Sequence, residues 1–248
     1  MDFETAVLAI LFLVIAVLYA AVGQAGATGY LAAMALFHLA PATMKITALA
    51  LNLVVAAIGT FQFWRGGHLS LRAFYPFGVL GIPFSLAGGA VQLPSHYYYP
   101  VVGAILLLSG LQMVRAAVMR GDKEIPGPER PPFLGALIAG GVIGFVSGTT
   151  GTGGGIFLAP VILSMNWVSM RRTAAVTAAY NLLNSGAALV GAFRILGEAP
   201  PALPIWIAVV GAGGMMGAYM GSRRLPENAL RYILAAILLA AGAKLVLS

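Results

Sequence analysis

Nearly every charge in this 248-residue chain sits in a gap between long apolar runs. No acidic residue occurs between Glu4 and Asp122, and after Glu129 only Glu198 and Glu227 remain, both at the ends of runs. With 60% of residues hydrophobic, 8% charged and a mean hydropathy of +0.93, too little polar surface is left to cover a water-facing globule. The chain is expected to be an all-α polytopic membrane protein.

Ten apolar runs are read, at 5–22, 27–40, 43–64, 73–93, 97–118, 133–146, 156–165, 173–193, 203–221 and 229–247. A bilayer core takes about 20 helical residues, and the second, sixth and seventh runs fall short of that. Between the fifth and sixth lies the one polar, proline-rich stretch of any length, residues 120–132. It is expected to be a cytoplasmic linker between a first membrane repeat at 1–119 and a second at 133–248.

The two halves resemble each other. Gly23-Gln24-Ala25-Gly26 lies over Gly148-Thr149-Thr150-Gly151, Asn52-Leu53 over Asn181-Leu182, Gly81 over Gly211, Pro94 over Pro226, and Gly110 over Gly242. The offset drifts only from 125 to 132, which short loop insertions explain, so an internal duplication is expected. If the linker is cytoplasmic and every run reverses the chain, eleven of the fourteen basic residues fall inside and only Lys45, Arg194 and Lys244 outside. Both termini are then extracytoplasmic. Five runs per half, an odd number, invert the second repeat relative to the first. The first two runs of each half are expected to form a hairpin of shorter or broken helices.

Other classes fit poorly. The net charge of +7 is spread over the connectors rather than gathered, which argues against a nucleic-acid partner. Cysteine is absent, so disulfides and thiolate metal sites are impossible, and no cofactor is expected. Asp2 and Glu4 stand where a signal peptide would be basic, so the first run is read as a mature helix. His38, Lys45 and Arg194 are expected at the outer rim, and Trp64, Trp167, Trp206 and the Tyr97-Tyr98-Tyr99 run in interfacial belts. Pro83 and Pro160 are expected to kink their helices.

Inside the runs, chemistry has to come from neutral groups. Gln24, Gly26 and Thr28 stand at the first break; Thr149, Thr150, Gly151, Thr152 and Gly153 stand at the second. Asn52 and Asn181 lie midway along the third and eighth runs, and Asn184 and Ser185 share a helix face with Asn181. These twelve residues are the candidate substrate site. Helix starts following glycine clusters offer free N–H groups, about half a positive charge and close backbone approach, which suits a small anion. The lack of a Lys-Ser/Thr after Gly155 argues against a nucleotide phosphate loop. Each feature also has a plain packing explanation, since glycine and asparagine are common helix–helix contacts in membranes; their matched positions in both halves favour a site.

The pattern Gly-x-x-Gly-Thr-Gly-Gly-Gly at 148–155, the apolar run to Pro160, then Arg171-Arg172-Thr-Ala-Ala-Val-Thr and Asn181, resembles the sulfite exporter TauE/SafE family of membrane permeases. The first-half copy departs from it, with Ala27, Thr28 and Tyr30 where the second half has Thr152, Gly153 and Gly155. The resemblance spans essentially the whole chain. It implies a multi-pass transporter of the bacterial inner membrane for sulfite, sulfonates or related anions, with the lipid bilayer and a small anionic substrate as partners. The membrane potential favours anion export, and no carboxylate sits at the membrane centre to carry a coupling ion. An anion channel and a proton-coupled uptake permease for sulfonates or carboxylates are the alternatives. An intramembrane hydrolase would need a base beside Ser147, whereas His38, His68 and His96 all lie near run ends in the first half.

Overall fold

The computed structural model describes residues 3–21, 24–118, 131–165, 167–221 and 227–247. Val22, Gly23, Pro226 and all of the expected linker except Pro131 and Pro132 lie outside them. The described residues form α1 (Phe3–Ala21), α2 (Ala27–Leu36), α3 (Pro41–Arg65), α4 (Leu71–Ala90), α5 (Ser95–Val118), α6 (Phe133–Thr150), α7 (Gly155–Ser164), α8 (Met170–Gly191), a 3-10 turn (Phe193–Glu198), α9 (Leu203–Gly221) and α10 (Glu227–Leu247). Each of the ten apolar runs is thus a helix, and the all-α polytopic class holds. Among the described residues, α1, α3, α4, α5 and α6 are long and apolar enough to cross a membrane. Helix α8 has the length but carries buried Thr173, Thr177, Asn181, Asn184 and Ser185 on a face turned into the protein, while Leu183 and Val190 stay exposed.

The hairpins differ from expectation in one respect. Helix α6 is not a short run ending at Val146 but continues to Thr150. The hydroxyls of Ser147, Thr149 and Thr150 donate back to the carbonyls of Gly144, Phe145 and Val146, so the polar residues are absorbed by the last helical turn. Only α2 and α7, of ten residues each, are short. Each hairpin therefore joins one full-length helix to one half-length helix.

Small residues decide how the helices lie. Along α6, a Cβ on Gly140, Gly144 or Gly148 would collide with the backbone of Phe77, Gly81 or Ser85 on α4, so the two helices touch main chain to main chain in parallel register. Gly213 and Gly217 of α9 do the same against Leu13 and Val17 of α1. By contrast α3 and α8 run antiparallel, with Asn52 beside Ser185 and Gly59 beside Ala178. Helices α5 and α10 are antiparallel as well, Gly103 facing Gly242 and Gly110 facing Leu239. All these directions agree with a chain that reverses at every helix.

Three aromatic and charged positions are corrected. Trp206 is buried, packed edge-on against Phe12 at 5.1 Å with its indole N–H donating to Thr5 O, so it belongs to the core rather than to a belt. Tyr98 is buried and donates to Thr150 O, while Tyr97 is exposed. Lys45 is buried within α3 instead of lying at a rim. Pro83 and Pro160 both lie inside helices, α4 and α7.

The glycine contacts carry a testable contrast. Gly144→Ala should lower stability by about 1–3 kcal/mol, because neither backbone can yield. Gly211→Ala, whose Cβ would meet only Val54 Cγ1 at 3.6 Å, should stay within about 0.5 kcal/mol of the parent. Unfolding of the purified protein in detergent measures both.

Candidate functional site

The two breaks in the helices are made by glycine in a conformation that other residues resist. Gly26 (φ 93°) precedes α2, and Gly151 (φ 86°), Gly153 (φ 76°) and Gly154 (φ 84°) lead into α7. At Gly153 the case is doubled, since a Cβ there would strike the Asn52 carboxamide and come within 3.2 Å of Asn181 Oδ1. Gly153 of the second half therefore sits between the two repeat-matched asparagines.

Each asparagine receives the first N–H of the short helix of its own half. Ala27 N–H donates to Asn52 Oδ1 at 3.2 Å, and Gly155 N–H donates to Asn181 Oδ1 at 2.7 Å. A helix that starts within an apolar slab leaves its first N–H groups without intrahelical partners, and here a side chain from the neighbouring long helix supplies one. The remaining capacity of the pair differs. Asn52 Nδ2 is committed to Ser185 Oγ at 2.8 Å. Asn181 makes no further described bond, so its Nδ2 stays free as a donor.

Both helix starts open on one small cavity of about 20 Å³, enough for a single water-sized body. Gln24, Gly26, Thr28, Asn52, Thr152 and Asn181 of the sequence-derived site line it, with Ala27 and Gly155 at the helix starts. The other six candidates are placed around it. Thr149 and Thr150 bond back into α6, and Thr150 also meets Thr152 at 3.1 Å. Gly151 packs on Lys45, Gly153 on the asparagines, and Ser185 supports Asn52. Asn184 turns away, donating to Ser147 Oγ at 3.3 Å while its backbone O accepts from Ser85 Oγ.

Two lining residues with polar side chains escaped the sequence reading. Thr177 lies one turn before Asn181 on α8, a spacing that would have placed it on the same face. Tyr19, whose hydroxyl pairs with Thr28 Oγ1 at 2.9 Å, gives no such signal, because it lies before the break in an otherwise ordinary apolar helix.

A second cavity of about 280 Å³ adjoins the first, sharing Gln24, Ala25 and Asn181. It runs along α3 past Val55, Ile58, Gly59 and Gln62 toward the Arg65 end, flanked by Ala178, Gly214 and Ala218. Among the described residues no charged side chain lines either cavity. The arrangement sets neutral hydrogen-bonding groups and two helix starts around a water-sized space, with a wider cavity beside it.

Comparison with known proteins follows the same lines. The sequence model of the family described as sulfite exporter TauE/SafE matches residues 8–245. The chain is also similar to a protein named probable membrane transporter protein y4hK of Sinorhizobium fredii (strain NBRC 101917 / NGR234). The two are 55% identical over 246 residues, covering 99% of this chain and 100% of that one. No solved structure matches. With the match running through both hairpins and every long helix, the chain belongs to the sulfite exporter TauE/SafE family and is a membrane transporter.

Proposed function

We propose that this protein is a secondary transporter that exports small sulfur-containing anions, sulfite or sulfonates, by alternating access between two inverted repeats. The observation that carries the reading is the meeting of two helix starts, one from each half, at a single uncharged cavity. Free N–H groups, hydroxyls and the Asn181 amide can hold an anion, and the lack of a fixed cation lets it leave. The repeats are taken as residues 1–119 and 133–248. Equivalent helices that run antiparallel, α3 with α8 and α5 with α10, are what a two-fold axis in the membrane plane would produce.

Orientation follows from charge. With the Arg65 end of α3 cytoplasmic, by the excess of basic residues on that side, the wide cavity faces the cytoplasm and the described state is inward-facing. Both termini are then extracytoplasmic, in the inner membrane of a bacterium. A cavity that widens toward one side supports a carrier over a channel. An inside-negative potential of 100 mV drives each unit of negative charge outward by about 2.3 kcal/mol, so efflux needs no coupling ion.

The test is efflux from proteoliposomes. Sulfite loaded inside should leave faster when a potassium diffusion potential makes the interior negative, with no pH gradient imposed. A strict requirement for a proton gradient, with no response to potential, would sink the export mechanism and favour coupled uptake.

A second expectation separates the asparagines. Asn181→Asp keeps the acceptor for Gly155 N–H, so the protein should fold, but a carboxylate replaces the free donor. Sulfite binding should weaken at least about tenfold, or 1.4 kcal/mol, by isothermal titration. Asn52→Ala should instead lower the unfolding temperature, because it strands both Ala27 N–H and Ser185 Oγ.

A further inference from the structure

Lys45 has three acceptors and none is a carboxylate. It is 3% exposed, and its ammonium donates to Gly88 O at 3.2 Å, Gly89 O at 2.8 Å and Val91 O at 2.8 Å, the last carbonyls of α4. These carbonyls carry the negative end of a helix dipole, which makes them good partners for a cation, but they are fixed only while α3 and the end of α4 stay together. The ammonium turns to them although Glu198 is exposed near the same end of α3, where its backbone O accepts from Thr43 Oγ1.

Its position is on the side of the site away from the wide cavity. Lys45 lies two turns before Asn52, about 10 Å along α3 in the direction opposite to the wide cavity. A Cβ on Gly151 would come within 3.1 Å of Lys45 Cα, and the next residue, Thr152, lines the small cavity. Lys45 and the Gly151 turn thus stand next to the small cavity on that side.

The duplication supplies an internal control. Asn52 matches Asn181, so seven residues earlier Lys45 matches Ala174. The 280 Å³ cavity lies on the side with alanine, beside Ala178, and Lys45 lines neither described cavity. The two halves differ at this position, and the wide cavity lies on the side that lacks the ammonium.

Resting on the transport reading above, we infer that Lys45 latches the outer side of the site and makes outward opening depend on a bound anion. Parting α3 from the end of α4 strips the ammonium of all three acceptors, and a bare ammonium inside an apolar span is strongly disfavoured. An anion moving outward from the cavity replaces the carbonyls as its partner. The loaded carrier can therefore open outward, and the empty one stays latched. Lys45 acts as a positioning and coupling residue on the exit path, and it is absent from the cavity lining itself.

The absence of cysteine makes the test direct. Ala48→Cys places a reporter one turn from Lys45 on the same face of α3, where the residue is fully buried. Sealed proteoliposomes are treated from outside with a membrane-impermeant maleimide, with or without sulfite trapped inside. With Lys45 present, labelling should require sulfite. In the Lys45→Met background, labelling without sulfite should rise at least about tenfold, to the sulfite-loaded rate. Lys45→Arg keeps the charge and should keep the sulfite requirement, which also serves if the methionine variant does not fold. A methionine variant that still needs sulfite, or an arginine variant that has lost the need, overturns the latch while leaving transport intact. A Lys45 parent that shows no sulfite response and no sulfite efflux overturns the transport reading, and the latch with it.

Discussion

A helix that begins inside a membrane must find partners for its first N–H groups where water cannot supply them. The bonds from Ala27 to Asn52 and from Gly155 to Asn181 answer that demand twice, once in each half. Much of the interior follows from them. The carboxamides must come from long neighbouring helices that pass the tips at mid-length, so α3 and α8 lie at the centre, antiparallel and in contact. The backbone must reverse without side chains in the way, so Gly26, Gly153 and Gly154 take positive φ. The outer helices then close round this pair through glycine contacts that let main chains touch.

Why such an expensive arrangement exists is a question about solutes. A continuous helix would satisfy its own backbone and present a membrane-crossing anion with nothing but side chains. Interrupting it exposes dipole ends and N–H groups at the depth where an anion is worst solvated. Using neutral groups avoids the opposite failure, a countercharge so well matched that the solute stays. The asymmetry between the two asparagines fits this division, since each holds one tip but Asn52 also commits its amide nitrogen to Ser185, whereas Asn181 retains a free N–H beside both cavities.

Much of this was legible in the sequence because it depends on local chemistry. Glycine runs mark where helices stop, apolar length marks where they cross, and matched asparagines mark what the two halves share. The six candidate residues that line the cavity are those at the breaks and the paired asparagines. What was not legible depends on partners distant in the chain. Thr149 and Thr150 look like free hydroxyls until one sees that they bond their own helix and extend α6 by a turn. Trp206 follows the interfacial preference of tryptophan only if its helix end faces lipid, and here Phe12 and the Thr5 carbonyl draw it inward. Positive charge near a segment end reads as a rim residue, yet Lys45 is buried because the end of α4 passes beside it.

That last case bears on how a transporter built from two inverted repeats, as proposed above, would become directional. Two identical inverted halves would make the inward-facing and outward-facing states mirror images of equal energy, and the solute gradient and membrane potential alone would decide the direction of flow. Any residue present in one half and missing from its match tilts that balance. Lys45 opposite Ala174 is such a difference within the central pair of long helices, and, counting from the helix starts rather than from the glycine clusters, Thr28 on α2 opposite Ile156 on α7 is another. On the proposed reading, symmetry would supply two access routes to one site, and the places where it is broken would determine which route is held shut when the site is empty.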